Sequence, residues 1–182
     1  GFQHRFEPST QMIRRAFDNG SLGEVLVAKV HAMRRRGVPN WGVFGQKKMQ
    51  GGGPMIDIGV HAIEMCHYAM GCPKPVAASG KTWTYMGNKP SDVVSMWPNW
   101  DHKTYDVEDF AIGQIRFENG AVMQLEAMFC GHIPPEMEGM RFELAGAKGG
   151  ASMKPPALYF DRDGTMLDAT PHYLPHADTM WD

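Results

Sequence analysis

Residues 51–71, GGGPMIDIGVHAIEMCHYAMG, form the longest apolar segment of the chain and predict its central helix. Proline is favoured in the first turn of a helix, which is where Pro54 would lie. Glycine is favoured just after the last turn, which is the position of Gly71. The segment therefore predicts a helix over residues 54–70. Its apolar side chains lie on nearly all sides, so most of this helix should be buried.

Two polar residues of this helix, Asp57 and His61, stand four positions apart and should share one face. A neutral imidazole can accept or give a proton near neutrality, and a carboxylate one turn away can orient it or stabilise its charged form. The spacing alone equally fits a histidine that a neighbouring aspartate satisfies at the edge of the domain. The three preceding glycines would let backbone approach a ligand closely, or would serve only as a flexible entry to the helix.

The composition is that of an ordinary globular domain, with 43% hydrophobic and 21% charged residues among 182. A net charge of −2 gives no reason to expect nucleic acid as a partner. The acidic and histidine side chains within segment 51–71 disfavour a membrane span. The three cysteines are odd in number and lack metal-site spacing, which favours reduced thiols and a cytoplasmic protein.

Periodicity and turn residues predict one strand before the central helix and several after it. Residues 24–33 alternate, with the more apolar face carrying Ala28, Val30 and Ala32, and a short amphipathic helix follows Pro8. This order predicts an α+β fold over residues 1–182, with a largely antiparallel but mixed open sheet and helices on one face. The later strands are predicted over 75–87, 107–117, 121–133, 139–153 and 157–170, with hairpin turns at Asn119 and Gly120 and at Asp163 and Gly164.

A loop of about twenty residues, rich in charged and aromatic side chains, separates the first strand from the central helix. Trp41 and Lys48 are its best candidates for binding substrate, by stacking on a ring and by hydrogen bonding. The arginines at 34–36 fit a solvated loop slightly better than a substrate contact. His31, on the more polar face of its strand, points either into the same cleft or to water.

Three acidic residues, Asp106, Glu108 and Asp109, lie at the start of the strand predicted over 107–117. Acidic side chains next to a strand usually lie in solvent. They are therefore interpreted as the solvated end of that strand rather than as a metal site.

The segment 51–71 resembles the central motif of the glucose-fructose oxidoreductase and inositol dehydrogenase family, written broadly as GG-x-x-x-D-x-G-x-H-x-x-D. Asp57 and His61 match its first aspartate and its histidine, and Glu64 stands where the family often has the second aspartate. Similar stretches lie elsewhere along the chain, in HRFEPSTQMIRRAFDNGSLGEV (4–25), VEDFAIGQIRFENGAVMQLE (107–126) and FELAGAKGG (142–150).

The resemblance implies the C-terminal domain of a two-domain oxidoreductase of the dihydrodipicolinate-reductase-like type. Family members carry an N-terminal Rossmann domain that binds NAD or NADP, and a lysine in an E-K-P motif would precede Gly1. We therefore expect a fragment of a longer protein, cut before Gly1 and also after HADTMWD, that does not bind the cofactor alone. The resemblance also implies a homo-oligomer, assembled through the open face of the sheet.

The same resemblance assigns roles to particular residues. His61 would take the hydroxyl proton of a sugar or cyclitol while the carbon-bound hydrogen leaves as hydride, and Asp57 would assist. Arg5 resembles a residue near the active site, where a salt bridge in the interdomain linker is the plainer account.

Two other functions stay open at this point. A metal-assisted hydrolase or isomerase could use His31, Asp57 and His61 as ligands, although only the last two are fixed together by spacing. A non-catalytic relative could use the open sheet only for assembly.

Overall fold

The computed structural model describes residues 1–95 and 97–175, and these residues form one sheet of eight strands with helices on one face. The segment HADTMWD, residues 176–182, lies outside the described residues. The helices are α1, Pro8–Asp18; α2, Lys47–Gln50; and α3, Val60–Ala69. The strands are β1, Val25–Met33; β2, Pro75–Trp83; β3, Phe110–Phe117; β4, Val122–Met128; β5, Gly139–Gly146; β6, Gly149–Met153; β7, Pro156–Arg162; and β8, Thr165–Ala169.

The strand order is β2-β3-β4-β1-β5-β6-β7-β8, with β1 near the centre. Only the β1–β4 pair is parallel among the strands of the described residues, and every other neighbouring pair is antiparallel. The predicted α+β fold with a largely antiparallel, mixed sheet is therefore confirmed.

The helices cover the face of the sheet that carries the apolar side chains of β1. Ala28, Val30 and Ala32 are all buried, as their alternation predicts. Leu26 breaks this pattern and is 51% exposed, because the register of β1 shifts between Val25 and Val27. Such a bulge moves a side chain to the other face of a strand.

Helix α1 begins at Pro8 and packs Ile13 and Ala16 into the core. Its neighbour in this layer is α3, and Arg14 Nη1 donates to the carbonyl oxygen of Tyr68 at 2.8 Å. A Cβ at Gly71 would lie 2.4 Å from the ring of Phe17, so glycine is needed where α3 ends against α1.

The predicted hairpins are confirmed at both turns. Gly120 and Gly164 have positive φ angles of 88° and 73°, the conformation that such turns require. They join β3 to β4 and β7 to β8 in antiparallel register.

Strand β2 is shorter than predicted, because the side chain of Asp109, just before β3, accepts hydrogen bonds from the backbone that follows β2. Asp109 Oδ2 accepts from the backbone N–H groups of Tyr85, Met86 and Gly87 at 2.8, 2.6 and 2.7 Å. These groups turn towards the carboxylate instead of pairing with a strand, so β2 ends at Trp83.

All three cysteines lie among the described residues and are free. Burial raises the pKa of the Cys66 thiol and raises that of Cys130 to about 11, so neither is poised as a thiolate. Within 1–95 and 97–175, no helix has the length and apolar character needed to cross a membrane.

Candidate functional site

Asp57 and His61 lie where a widened helical turn enters α3. Residues Met55–Gly59 form a π-helical turn, closed by a hydrogen bond from Val60 N to Met55 O, whereas the sequence predicts one regular helix. Ile58 and Gly59 are buried under this turn. The opposite side of the turn carries the aspartate and the histidine, both partly exposed.

The turn sits directly on the sheet. A Cβ at Gly59 would lie 3.2 Å from that of Ala127 in β4. At Gly53, an added Cβ would come within 1.9 Å of the carbonyl oxygen of Glu108. The carboxylate of Glu108 also accepts from Met55 N at 3.3 Å, which satisfies a free N–H group at the start of the helical segment. Glycine is therefore needed before the helix for backbone packing.

Burial perturbs both side chains of the pair in the direction of their neutral forms. It raises the pKa of Asp57, while the charges of Arg34 and His61 oppose the rise. It lowers the pKa of His61, and His4 lowers it further while Asp57 opposes the fall. His61 Nδ1 is buried without a hydrogen-bond partner among the described residues. His61 is thus a neutral imidazole near neutrality, beside a carboxylate that can stabilise an added proton.

Arg34 joins this pair, although the sequence favours a solvated position for it. Its Nη1 atom lies 3.6 Å from Asp57 Oδ2, and the two side chains are 26% and 20% exposed. Arg35 beside it is exposed, as predicted. The prediction of a solvated arginine group is therefore wrong for Arg34, which follows directly after β1 and turns towards α3.

Aromatic side chains extend the site away from Arg34. Trp97 lies 4.9 Å from the guanidinium, and the ring of Trp41 packs against Trp97 with centroids 4.9 Å apart. Phe44 packs against Trp41 at 5.8 Å. We call Trp41, Phe44 and Trp97 the aromatic wall. Trp41 is 50% exposed, so its ring has a free surface.

Residues 10–152 match the family profile described as GFO/IDH/MocA C-terminal domain. This match covers most of the chain, including most of α1, and all of α3 and β1 to β5. The chain belongs to this family. It matches the family's C-terminal domain, as its central motif implies.

Two curated relatives are similar to this GFO/IDH/MocA domain. D-glucoside 3-dehydrogenase of Escherichia coli K12 is 39% identical over 166 residues, which are 91% of this chain and 46% of the relative. Levoglucosan dehydrogenase of Pseudarthrobacter phenanthrenivorans is 26% identical over 161 residues, which are 81% of this chain and 40% of the relative. The chain thus spans about half the length of the curated relatives it matches.

Solved structures share the fold. A levoglucosan dehydrogenase in complex with NADH and levoglucosan has a TM-score of 0.76 at 22% identity, covering 100% of this chain and 49% of that one. An aldose-aldose oxidoreductase from Caulobacter crescentus, complexed with glycerol, has a TM-score of 0.70 at 20% identity, covering 97% and 48%. At these identities the similarity establishes the fold alone.

The structure separates His31 from the rest of the predicted site. His31 pairs in register with Glu126 and Arg141 and accepts a hydrogen bond from the Arg141 guanidinium. It lies opposite Val30, which faces the helices, so it is on the open face and not beside His61. Successive side chains of a strand point to opposite faces of the sheet, and His31 is therefore separated from His61. No group of three metal-ligating side chains occurs within the described residues, so His31, Asp57 and His61, the ligands of the alternative metal-assisted function, do not converge.

Two further predicted contacts have other neighbours here. Arg5 forms an ion pair with Glu64 and lies over the ring of Tyr68 at 5.1 Å, which is the salt bridge that the sequence left open. Lys48 is exposed on α2, and it is not among the charges that shift the pKa of Asp57 or His61.

Asp109 has a structural role that the sequence pattern does not reveal. It is 1% exposed, so its interpretation as a solvated strand end is wrong. Its three backbone partners lie more than twenty positions earlier in the chain. The sequence around Asp109 gives no sign of these partners, because the contact forms only when β2 and β3 pair.

Proposed function

We propose that this chain is the substrate-side catalytic domain of a nicotinamide-dependent dehydrogenase that oxidises a secondary hydroxyl of a sugar. The observation that carries the proposal is the pairing of a neutral His61 with Asp57 on the exposed side of a buried helix. The relatives support it, because one is named D-glucoside 3-dehydrogenase and another levoglucosan dehydrogenase. A cyclitol is the alternative substrate, since it offers the same ring of secondary alcohols.

His61 serves as the general base in this proposal. As the alcohol becomes a ketone, a ring nitrogen of His61 accepts the hydroxyl proton, and the carbon-bound hydrogen leaves as hydride. Asp57 stabilises the imidazolium that forms, because its charge raises the proton affinity of His61. In the reverse direction, His61 returns the proton to the oxygen of the reduced ketone.

The aromatic wall supports a sugar rather than an acyclic substrate. The exposed half of Trp41 offers a flat apolar surface on which the C–H face of a pyranose ring can stack. Arg34 contacts both Trp97 of this wall and Asp57, and we propose that a ring stacked on Trp41 extends towards His61. Lys48 and Arg5 remain proposed contacts to substrate hydroxyls.

The residues of this chain suit the substrate half of the site and not the pyrophosphate of a dinucleotide. No strand here is followed by G-x-G-x-x-G. The glycine triplet at 51–53 does not replace it, because the space beside Gly53 holds the Glu108 carbonyl. A nicotinamide cofactor, NAD or NADP, would supply the hydride acceptor, and we propose that residues outside this chain hold it.

An assay of the full-length protein with a substrate panel tests the function. NADH or NADPH formation is followed by absorbance with glucosides, free aldoses, levoglucosan and inositols. We expect turnover of at least one glycoside or sugar, with formation of a keto product by mass spectrometry. Absence of turnover on every sugar and cyclitol with both cofactors would contradict the proposal.

We also propose that the open face of the sheet joins two copies of the protein. The side of the sheet away from the helices exposes Val27, Ile112 and Trp83 at 36%, 39% and 37%. It also holds a cavity of about 530 Å³ beside Phe110 and Met128. Sedimentation of the full-length protein should give a dimer or larger assembly, and Ile112→Lys should weaken it. A monomer at micromolar concentration would contradict this proposal.

A further inference from the structure

Two aromatic rings lie close to the guanidinium of Arg34. The rings of Phe129 and Trp97 lie 5.5 and 4.9 Å from it. Arg34 directly follows the last residue of β1, and its backbone is fixed as well. Its N–H group donates to the carbonyl oxygen of Met128 in β4 at 2.9 Å. A long side chain fixed in this way has already lost most of its rotamer freedom, so it can hold a partner in a defined place.

Gly37 allows this placement. Arg34 Nη1 donates to the carbonyl oxygen of Gly37 at 3.1 Å, so the side chain folds back over its own loop. A Cβ at Gly37 would lie 2.5 Å from Arg34 Cδ and 3.0 Å from Arg34 Cβ. These atoms belong to the stem of the side chain, so an alanine at this position would displace the guanidinium.

The other contact of Arg34 Nη1 is Asp57 Oδ2, at 3.6 Å. Both groups have lost much of their contact with water. Burial lowers the pKa of Arg34 and raises the pKa of Asp57, and each charge opposes the shift of the other. Each ion therefore stabilises its partner, and the charge of Asp57 in turn acts on His61.

We propose that Arg34 is a positioning residue of the catalytic pair: it holds Asp57 ionised beside His61 and joins this pair to the aromatic wall. The inference rests on the proposed function of His61. The guanidinium of Arg34 thereby holds two groups in place. One is the carboxylate of Asp57, which supports proton transfer, and the other is the ring of Trp97, against which Trp41 packs. Arg34 itself touches neither substrate nor cofactor in this account.

The charged groups around the pair define the expected dependence on pH. Arg34 and His61 face Asp57, Glu138 also acts on Arg34, and His4 also acts on His61. Removing the cation at Arg34 raises the pKa of Asp57, because burial is then less opposed. Asp57 is then protonated at a higher pH than in the wild type. Once it is protonated, its negative charge no longer stabilises the imidazolium form of His61.

Kinetics of full-length variants test the inference. We expect Arg34→Gln to lower kcat by about 10- to 100-fold, the loss typical of a misplaced catalytic group. The acid limb of its kcat/KM profile should move to higher pH. Arg34→Lys keeps the charge, so it should lose less in kcat and keep the limb near the wild-type position. Arg35→Gln, which removes the same charge from the exposed neighbour, should change neither property.

Gly37→Ala is a second variant that leaves the guanidinium in the protein but displaces it. It should lower kcat in the same direction as Arg34→Gln, and it decides the question if Arg34→Gln fails to fold. An unmoved acid limb in Arg34→Gln, or wild-type kcat in either variant, would overturn the inference. Loss of activity in His61→Ala together with normal activity in Arg34→Gln would reject this inference while leaving the proposed function standing.

Discussion

Burial sets the charge state of two histidines that lie in different layers of the molecule. It lowers the pKa of His31 to about 4, and Arg141 adds to the effect. It also lowers the pKa of His61, where Asp57 works in the opposite direction. Both imidazoles are neutral near neutrality, but only His61 has a proposed role for an added proton. Burial acts in the same direction on both histidines, so the neighbouring charge distinguishes them. Asp57 favours a proton on His61, whereas Arg141 disfavours one on His31.

His31 should make folding stability depend on pH. Its pKa falls from 6.5 when unfolded to about 4 when folded, so the unfolded state binds the proton first as the pH drops. The free energy of unfolding should therefore decrease between these two values. His31→Gln should flatten this decrease in urea titrations, whereas His172→Gln, at an exposed position, should leave it unchanged. An equally steep decrease in His31→Gln would contradict the assignment.

Asp109 should be among the most important polar side chains for stability. Asp109→Ala would leave three backbone N–H groups, those of Tyr85, Met86 and Gly87, without their acceptor. We expect a loss of about 3 kcal/mol or more in the free energy of unfolding, since hydrogen bonds to charged groups are strong and unsatisfied donors are costly. Denaturant titration measures it, with Asp92→Ala at an exposed position as the control. A loss below about 1 kcal/mol would be inconsistent with this role.

At the scale of elements, local signals predicted most of the strands and helices. Alternation predicted β1, and paired turn residues predicted the hairpins at Gly120 and Gly164. The parallel pairing of β1 with β4 was not predicted, because no short-range pattern encodes which distant strands become neighbours. The π-helical turn at Met55–Gly59 was missed for a similar reason, since the backbone of Glu108, far along the chain, shapes its approach.

Gly53 tests how tightly this turn is packed. In Gly53→Ala the new Cβ would meet the carbonyl oxygen of Glu108 at 1.9 Å, and backbone cannot move aside cheaply. We expect a loss of about 2–4 kcal/mol in the free energy of unfolding. Gly113→Ala is the matched control, because its nearest atom would be Ser79 O at an ordinary 3.4 Å. Similar stability of the two variants would contradict the packing described for the turn.

At the scale of the whole molecule, the sequence motif predicted Asp57 and His61 because their spacing is local. It did not predict Arg34 or Trp97, because Arg34 reaches Asp57, and Trp97 reaches Arg34, only once the chain has folded. His31 shows the converse limit: a polar strand residue is placed on a face by alternation, but the face that holds the site is set by the helices. This chain spans about half the length of its curated relatives, and in our proposal the residues that hold the cofactor lie outside it.

Cofactor binding tests the proposed division of the site, in which this chain holds the substrate and residues outside it hold the nucleotide. The 182-residue chain alone should not bind NADH, because it holds no glycine-rich turn between strand and helix for the pyrophosphate. Titration of the chain against NADH fluorescence should show no saturable change, while the full-length protein should show one. Saturable binding by the chain alone would place the dinucleotide site within residues 1–182 and contradict the division.

The role of His61 is the central claim, and turnover of the full-length His61→Ala protein tests it most directly. We expect kcat to fall by roughly 10²- to 10⁴-fold, the range for loss of a positioned acid or base. His67→Gln on the same helix is the control, since His67 instead contacts the carbonyl oxygen of Pro73 at 2.7 Å. It should keep near wild-type turnover. Wild-type turnover by His61→Ala, with a folded protein, would contradict the account.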